Sequence, residues 1–176
     1  LAGAAFDPRE LIEDTAALLA ARAHEKGLDL ISDLPLELPV MVQSDPGRIR
    51  QLLVNLVGNA IKFTERGEVV IRLRVVVEDA QSRLYCEVQD TGIGVPLAAQ
   101  AKLFDSFTQA DTSTNRRYGG TGLGLAIAKQ LVRVMGGEIG LDSTSDVGSR
   151  FWFKIPLPQQ AENMRPLWLA PEEILH

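Results

Sequence analysis

The chain has 176 residues, 45% apolar and 23% charged, enough for one domain with a sizeable core. Its formal net charge of −5 argues against nucleic acid, whose phosphates want a basic surface. One cysteine, Cys86, excludes an intrachain disulfide and a cysteine-built zinc site, and no apolar run approaches the roughly 18 residues of a membrane span.

"FDPRELIEDTAALLAARAHEKG" predicts a first helix. Asp7 is its N-cap, Pro8 suits the first turn, and Glu10 has capping-box spacing. Leu11, Leu18 and Leu19 form its apolar stripe, and Gly27 stops it. "LDLISDL" and "PVMVQSD" read as short strands divided by Pro35 and Pro39. "DPGRIRQLLVNLVGNAIKFT" is the clearest helix: Asp45 caps, Pro46 starts, and Ile49, Leu52, Leu53, Leu56, Ala60 and Phe63 recur at helical spacing.

"GEVVIRLRVVVEDA" alternates, with Ile71, Leu73, Val75 and Val77 on one face and Arg72 and Arg74 on the other. "RLYCEVQDT" is its hairpin partner, with Cys86 in the strand core and the turn placed around Gln81 and Ser82. A short helix over "PLAAQAKLFDSF" and a polar loop over residues 108–121 follow. "GLGLAIAKQLVRVMGG" is a helix closed by Gly136 and Gly137, and "EIGLDSTSDVGSRFWFKIPL" a last hairpin turning at "SDVG". Antiparallel strand pairs with helices between them predict an α/β two-layer sandwich: a mixed, largely antiparallel sheet on about three helices.

"QDTGIGVP", residues 89–96, first suggests a protease, because Asp-Thr-Gly is what an aspartic protease carries. That chemistry needs two carboxylates sharing a proton, and Asp-Thr-Gly occurs once. The histidines are His24, on a charged helix, and the terminal His176, and no Gly-x-Ser-x-Gly occurs, so a nucleophilic hydrolase is also disfavoured. "YGGTGLGL" is neither a P-loop nor a good dinucleotide fingerprint. Its glycines exceed the need of a turn, and bare amides at a helix start form a ready anion site. On the long helix, Asn55, Asn59 and Lys62 share one face, about a quarter turn from the apolar stripe. They are either a polar boundary or, beside a phosphate loop, a place for Mg²⁺ and phosphate charge.

In order, the chain holds "NLVGNAIKFT", "QDTGIG", "LFDSF", "YGGTGLGLAIAKQLV" and "GSRFWF". Over roughly residues 5 to 157 it strongly resembles the catalytic ATP-binding domain of bacterial sensor histidine kinases of the hybrid type. The stretches resemble that family's N box, G1 box, F box, G2 box and final Gly-Ser/Thr-x-Phe element. The wider superfamily, with the Bergerat ATP-binding fold, includes DNA gyrase B, MutL-type repair ATPases and heat-shock chaperones.

The resemblance implies that Asp90 accepts a hydrogen bond from the adenine amino group and does no acid–base work. Gly92 and Gly94 would let backbone pass close to the ring, and Ile93 would line the pocket. Asn59 matches the Mg²⁺ ligand, and Asn55 a second polar position near metal-bound water or phosphate. Lys62 would approach phosphate, and Phe63 the sugar or base. Residues 108–121 correspond to the ATP lid, with Leu103, Phe104 and Phe107 anchoring its start and Arg116 and Arg117 in reach of the γ-phosphate. Gly120, Thr121, Gly122, Leu123, Gly124 and Leu125 would wrap the triphosphate. Ser149 would finish the adenine end, and Trp152 is read as core.

By the same resemblance, ATP and Mg²⁺ are the cofactors, and a histidine on a separate dimerisation domain accepts the γ-phosphoryl group. The catalytic set is Asn55, Lys62, Arg116 and Arg117. His24, followed by Glu25-Lys26-Gly27, does not match an acceptor motif, so the isolated chain should bind ATP and barely phosphorylate itself. A response regulator or receiver domain is the onward partner, with no nucleic acid and no membrane contact by this piece. The chain, which begins at Leu1, is read as a monomeric, cytoplasmic piece of a homodimeric inner-membrane kinase. Residues 1–157 form the domain, and 158–176 a linker or the start of another module. Two rival readings remain: another enzyme on this fold, such as an anti-sigma serine kinase or a conformational ATPase, or a nucleotide-free docking module. The ATPases usually place Glu where this chain has Asn55.

Overall fold

The computed structural model describes residues 3–92, 123–144 and 148–158. The chain opens with β1 (Ala4–Phe6) and α1 (Pro8–Glu25). Asp7 caps α1 by accepting from the Arg9 amide (2.9 Å) and the Glu10 amide (3.3 Å). Pro8 fits the first turn, where its missing N–H deprives the helix of nothing. Past the end of α1, Gly27 takes φ +72° and the Leu28 amide turns back to the Ala23 carbonyl. The buried stripe is Leu11, Ile12, Thr15, Leu19 and Ala23. Leu18 is corrected out of it: at 63% exposure it lies on the solvent side, because the stripe follows Ile12 and Thr15 instead.

β2 (Asp29–Asp33), β3 (Val42–Ser44) and α2 (Pro46–Phe63) follow. β3 pairs antiparallel with β1, a three-residue partner that sequence pattern did not reveal. Asp45 caps α2, accepting from the Arg48 amide at 3.1 Å and pairing with the Arg48 guanidinium at 3.2 Å. Asp45→Ala should therefore remove about 1 kcal/mol of stability, a Tm shift of roughly 2–4 °C by calorimetry. Ile49, Leu52, Leu53, Leu56, Val57 and Ala60 of α2 are fully buried, whereas Phe63 is half-buried at its end.

β4 (Glu68–Glu78) and β5 (Gln81–Asp90) form a long hairpin, followed by α3 (Leu123–Val134) and the hairpin β6 (Glu138–Thr144) and β7 (Gly148–Pro156). The main sheet has the order β2-β4-β5-β7-β6, with β2 parallel to β4 and the other pairs antiparallel. The β4–β5 turn is Asp79-Ala80, both at positive φ (53° and 64°), the pattern of a two-residue hairpin turn. The expected turn at Gln81 and Ser82 is thus corrected: both residues already pair in β5. Two-residue turns of this hand preserve register, so the strands run to the turn itself.

One face of the sheet buries Val69, Ile71, Leu73, Leu84, Cys86, Val88, Phe151, Phe153 and Ile155 against α1, α2 and α3. Val77 continues that phase but is 69% exposed, because β4 outruns the helices there. Burial, and secondarily Glu87, pushes the Cys86 thiol up, so it stays protonated and inert. The other face carries Arg72, Arg74, Tyr85, Glu87, Arg150, Trp152 and Lys154. Arg72 bonds Glu87 (3.2 Å) and Gln89 (2.6 Å), and Trp152 stacks on Tyr85 with ring centroids 6.3 Å apart. Trp152 is therefore corrected from core to the outer face: the strand period of two sends it opposite Phe151 and Phe153.

The two-layer, mixed and largely antiparallel α/β sandwich, with three helices among the described residues, matches the expected fold class. Among the described residues no helix is long and apolar enough to cross a membrane. The expected helix at "PLAAQAKLFDSF", the loop 108–121, residues 145–147 of the "SDVG" turn and residues 159–176 lie outside the described residues.

Candidate active site

Along β5, Leu84, Cys86 and Val88 point into the core, and Asp90 is the next residue in that phase. Its carboxylate therefore points inward at the open end of the sheet, 3% exposed. Across the strand pair it faces Ser149, the next residue out from Phe151 and Phe153 in the inward phase of β7. A polar pair thus stands where the pattern elsewhere places apolar pairs.

Asp90 Oδ1 accepts from the Gly92 amide at 2.9 Å and the Ser149 amide at 3.3 Å. Asp90 Oδ2 is buried and has no hydrogen-bond partner among the described residues. Burial pushes the carboxyl above the ordinary range, and the two amides oppose it. An orphaned buried acceptor is destabilising unless a ligand meets it. Its complement is an N–H donor entering from the sheet's end, such as an exocyclic amine.

The surroundings fix this carboxylate by close backbone packing. A Cβ at Gly92 would collide with the Phe63 carbonyl oxygen and lie 2.9 Å from its carbon. Gly92 is thus required by the end of α2, a reason additional to the ring contact expected from resemblance. Gly148 has φ +141°, and a Cβ there would collide with the Asp90 carbonyl oxygen and lie 3.1 Å from its carbon. Thr91 Oγ1 accepts from the Glu68 amide at 3.1 Å and donates to the Arg66 carbonyl at 3.2 Å. Gly67, at φ +109°, leaves room for that hydroxyl. Sequence reasoning missed Gly148, Thr91 and Gly67. Gly148 stood in the quoted "GSRFWF", and Thr91 directly follows Asp90.

α2 carries Asn55, Asn59 and Lys62 on one helix face, all half-buried, and ends at Phe63 beside Gly92. α3 begins at Leu123 and Gly124, while Leu125 is buried in the main core. Phe63, Asp90, Gly92 and Ser149 are brought together. Ile93, Gly94, Arg116, Arg117, Gly120, Thr121 and Gly122 lie outside the described residues. Among the described residues there is no group of three or more His, Cys, Asp or Glu able to hold a metal. The donor type available on α2 is the amide oxygen, a hard ligand suited to Mg²⁺ in company with phosphate and water.

Residues 44–159 match the family of histidine kinase-, DNA gyrase B- and HSP90-like ATPases. The chain belongs to this family. It is of the sensor histidine kinase type. It is 47% identical to the sensor protein GacS of Pseudomonas syringae over 159 residues, 90% of the chain and 18% of that protein. It is 44% identical to the signal transduction histidine-protein kinase BarA of Escherichia coli K12, over 86% of the chain and 17% of that protein. The chain spans less than a fifth of these relatives. Among solved structures, full-length ShkA in complex with AMPPNP matches with TM-score 0.79 and 38% identity, over 92% of the chain and 32% of ShkA. The catalytic domain of the histidine kinase ThkA matches with TM-score 0.73 and 28% identity, over 89% of the chain and 96% of that domain. The kinase catalytic domain is thus the part of such proteins that this chain represents.

Proposed function

We propose that the chain binds ATP with Mg²⁺ and presents the γ-phosphoryl group to a histidine on a separate dimerisation domain. The observation that carries this reading is the buried Asp90 carboxylate, with Oδ1 held by two amides and Oδ2 left to accept from a ligand. Adenine offers an amino donor where guanine offers an oxygen acceptor, so Asp90 reads the base. The AMPPNP complex of ShkA supports the same ligand class.

In this reading Asn59 gives its amide oxygen to Mg²⁺, and Asn55 holds metal-bound water or phosphate one turn earlier. Lys62 offsets phosphate charge, and Phe63 meets the sugar or base. Ile93 and Gly94 continue the adenine wall. Gly120, Thr121, Gly122, Leu123 and Gly124 surround the triphosphate, and Arg116 or Arg117 meets the γ-phosphate. Leu125, buried in the core, would act by seating the start of α3. Mg²⁺ would neutralise charge on the transferring group, and positioning supplies the rest. The acceptor nitrogen attacks the γ-phosphorus, the bond to the β,γ-bridging oxygen breaks, and ADP leaves with the electron pair.

The acceptor domain, the homodimer and the cytoplasmic position belong to the longer protein, and a response regulator or receiver domain is the onward partner. A complex of ThkA with its response regulator TrrA supports that kind of partner. In this reading residues 1–157 are the catalytic unit, and 158–176 a linker or the start of another module. Calorimetric titration with an ATP analogue, a GTP analogue and ADP, with and without Mg²⁺, tests the core of this. Adenine-selective, Mg²⁺-enhanced binding is expected. Absence of binding to every nucleotide would turn the chain into a docking module.

A further inference from the structure

The last carbonyls of a helix have no partner within it, and α2 ends at the site. Thr64 Oγ1 donates to the Ala60 carbonyl at 2.8 Å. The next two are met from a different element. Lys26, just past α1, donates its ammonium to the Ile61 carbonyl at 2.6 Å and the Lys62 carbonyl at 3.1 Å. These are charge-assisted bonds at the negative end of a helix dipole. Desolvation lowers the Lys26 pKa, and Glu65 opposes this.

The tether reaches the site through few bonds. Holding the Lys62 carbonyl fixes the planar peptide that joins Lys62 to Phe63. The following carbonyl, of Phe63, is the one against which Gly92 packs without room for a Cβ. The Gly92 amide in turn holds Asp90 Oδ1. The same peptide carries the root of Lys62. On the other side, Lys26 leads through Gly27 to Leu28, which is buried, and Asp29, whose amide donates to the Gly67 carbonyl.

We propose that Lys26 is a positioning residue for the nucleotide site, setting the end of α2 on which Gly92, Asp90 and Lys62 depend. Its effect on ligand affinity rests on the nucleotide-binding reading above, whereas its effect on Gly92 does not. Lys26 touches neither base nor phosphate in this role.

The test compares the wild-type chain with Lys26→Met, Lys26→Arg and Thr64→Val. Thr64→Val removes a cap at the same helix end without releasing the Ile61 and Lys62 carbonyls, so it serves as the structural control. Two readouts are taken: affinity for ADP and an ATP analogue by calorimetry, and amide hydrogen exchange at Gly92 without ligand. Lys26→Met should weaken binding about tenfold and lower Gly92 protection by about the same factor. Lys26→Arg should restore both. Thr64→Val should lower Tm yet leave affinity and Gly92 protection within about twofold. Unchanged Gly92 protection in Lys26→Met overturns the proposal, as does a loss of protection without loss of affinity, or a Thr64→Val variant that matches Lys26→Met. A wild-type chain that binds no nucleotide sinks the proposed function instead, and Gly92 exchange alone then decides the role of Lys26.

Discussion

Replacing Asp90 by asparagine is expected to weaken binding of an ATP analogue by about 10- to 150-fold, the equivalent of one charge-assisted hydrogen bond at about 1.5–3 kcal/mol. The substitution is nearly isosteric, so the geometry at Oδ1 should survive. The asparagine oxygen can still accept from the Gly92 and Ser149 amides. What changes is the buried position of Oδ2, which becomes an N–H donor and faces the adenine amine donor to donor. The same change favours a guanine oxygen. The ratio of ATP-analogue to GTP-analogue affinity should therefore fall further than the ATP-analogue affinity alone. Calorimetry on both analogues checks this, and an unchanged ratio would remove Asp90 from base recognition.

The ligand-free chain should respond in the opposite direction. Burial raises the Asp90 carboxyl in the fold above the ordinary 3.8. A group raised on folding contributes stability that is full below its unfolded pKa and lost as pH rises through the folded one. Wild type should therefore lose ground to Asp90→Asn as pH rises above about 4, where an ordinary carboxyl ionises and the raised one in the fold resists. Denaturant unfolding across that rise tests it, and a difference independent of pH would mean that the carboxylate is not strained in the empty site. Gain of stability with loss of ligand is the trade expected of a functional group held for binding.

Much of this was legible because the signals were local. Asp45-Pro46 before an apolar stripe announces α2, since capping and φ restriction act within one turn. The inward phase of Leu84, Cys86 and Val88 runs on to Asp90, so a buried carboxylate at a strand end could be read from alternation alone. Other features depend on the partner strand. The turn at Asp79-Ala80 has no glycine, and only the β4–β5 register makes two positive φ angles necessary. Trp152 looked like core because tryptophan is large and apolar, yet phase outranks size once Phe151 and Phe153 claim the inner face. β1 is a three-residue strand without a pattern long enough to read. Thr91, Gly67, Gly148 and Lys26 act on residues distant in sequence, so their roles become visible only when the chain is closed.

Gly148→Ala carries the second large effect. The residue sits at φ +141°, rarely adopted by L side chains, and its missing Cβ is replaced by the Asp90 carbonyl. Strain at the dihedral and overpacking against backbone together should remove about 2–4 kcal/mol, a fall in Tm of roughly 5–15 °C for a chain of this size. Backbone cannot rotate away as a side chain can, so the strain must be relieved by parting β7 from β5 at the Asp90–Ser149 pair. That parting breaks the Ser149 amide bond to Asp90 and reorients the carboxylate. Nucleotide affinity should fall at temperatures where the variant is still folded. Gly137→Ala separates this from plain instability. A Cβ there collides with the Lys154 carbonyl and comes within 2.8 Å of the Ile155 side chain, at the opposite end of β7 and roughly 20 Å from Ser149 at strand rise. Gly137→Ala should lose stability and keep affinity, whereas Gly148→Ala should lose both. If the two variants bound equally well once folded, Gly148 would be a requirement of the hairpin alone, and the seat of Asp90 would rest on Gly92 and the end of α2.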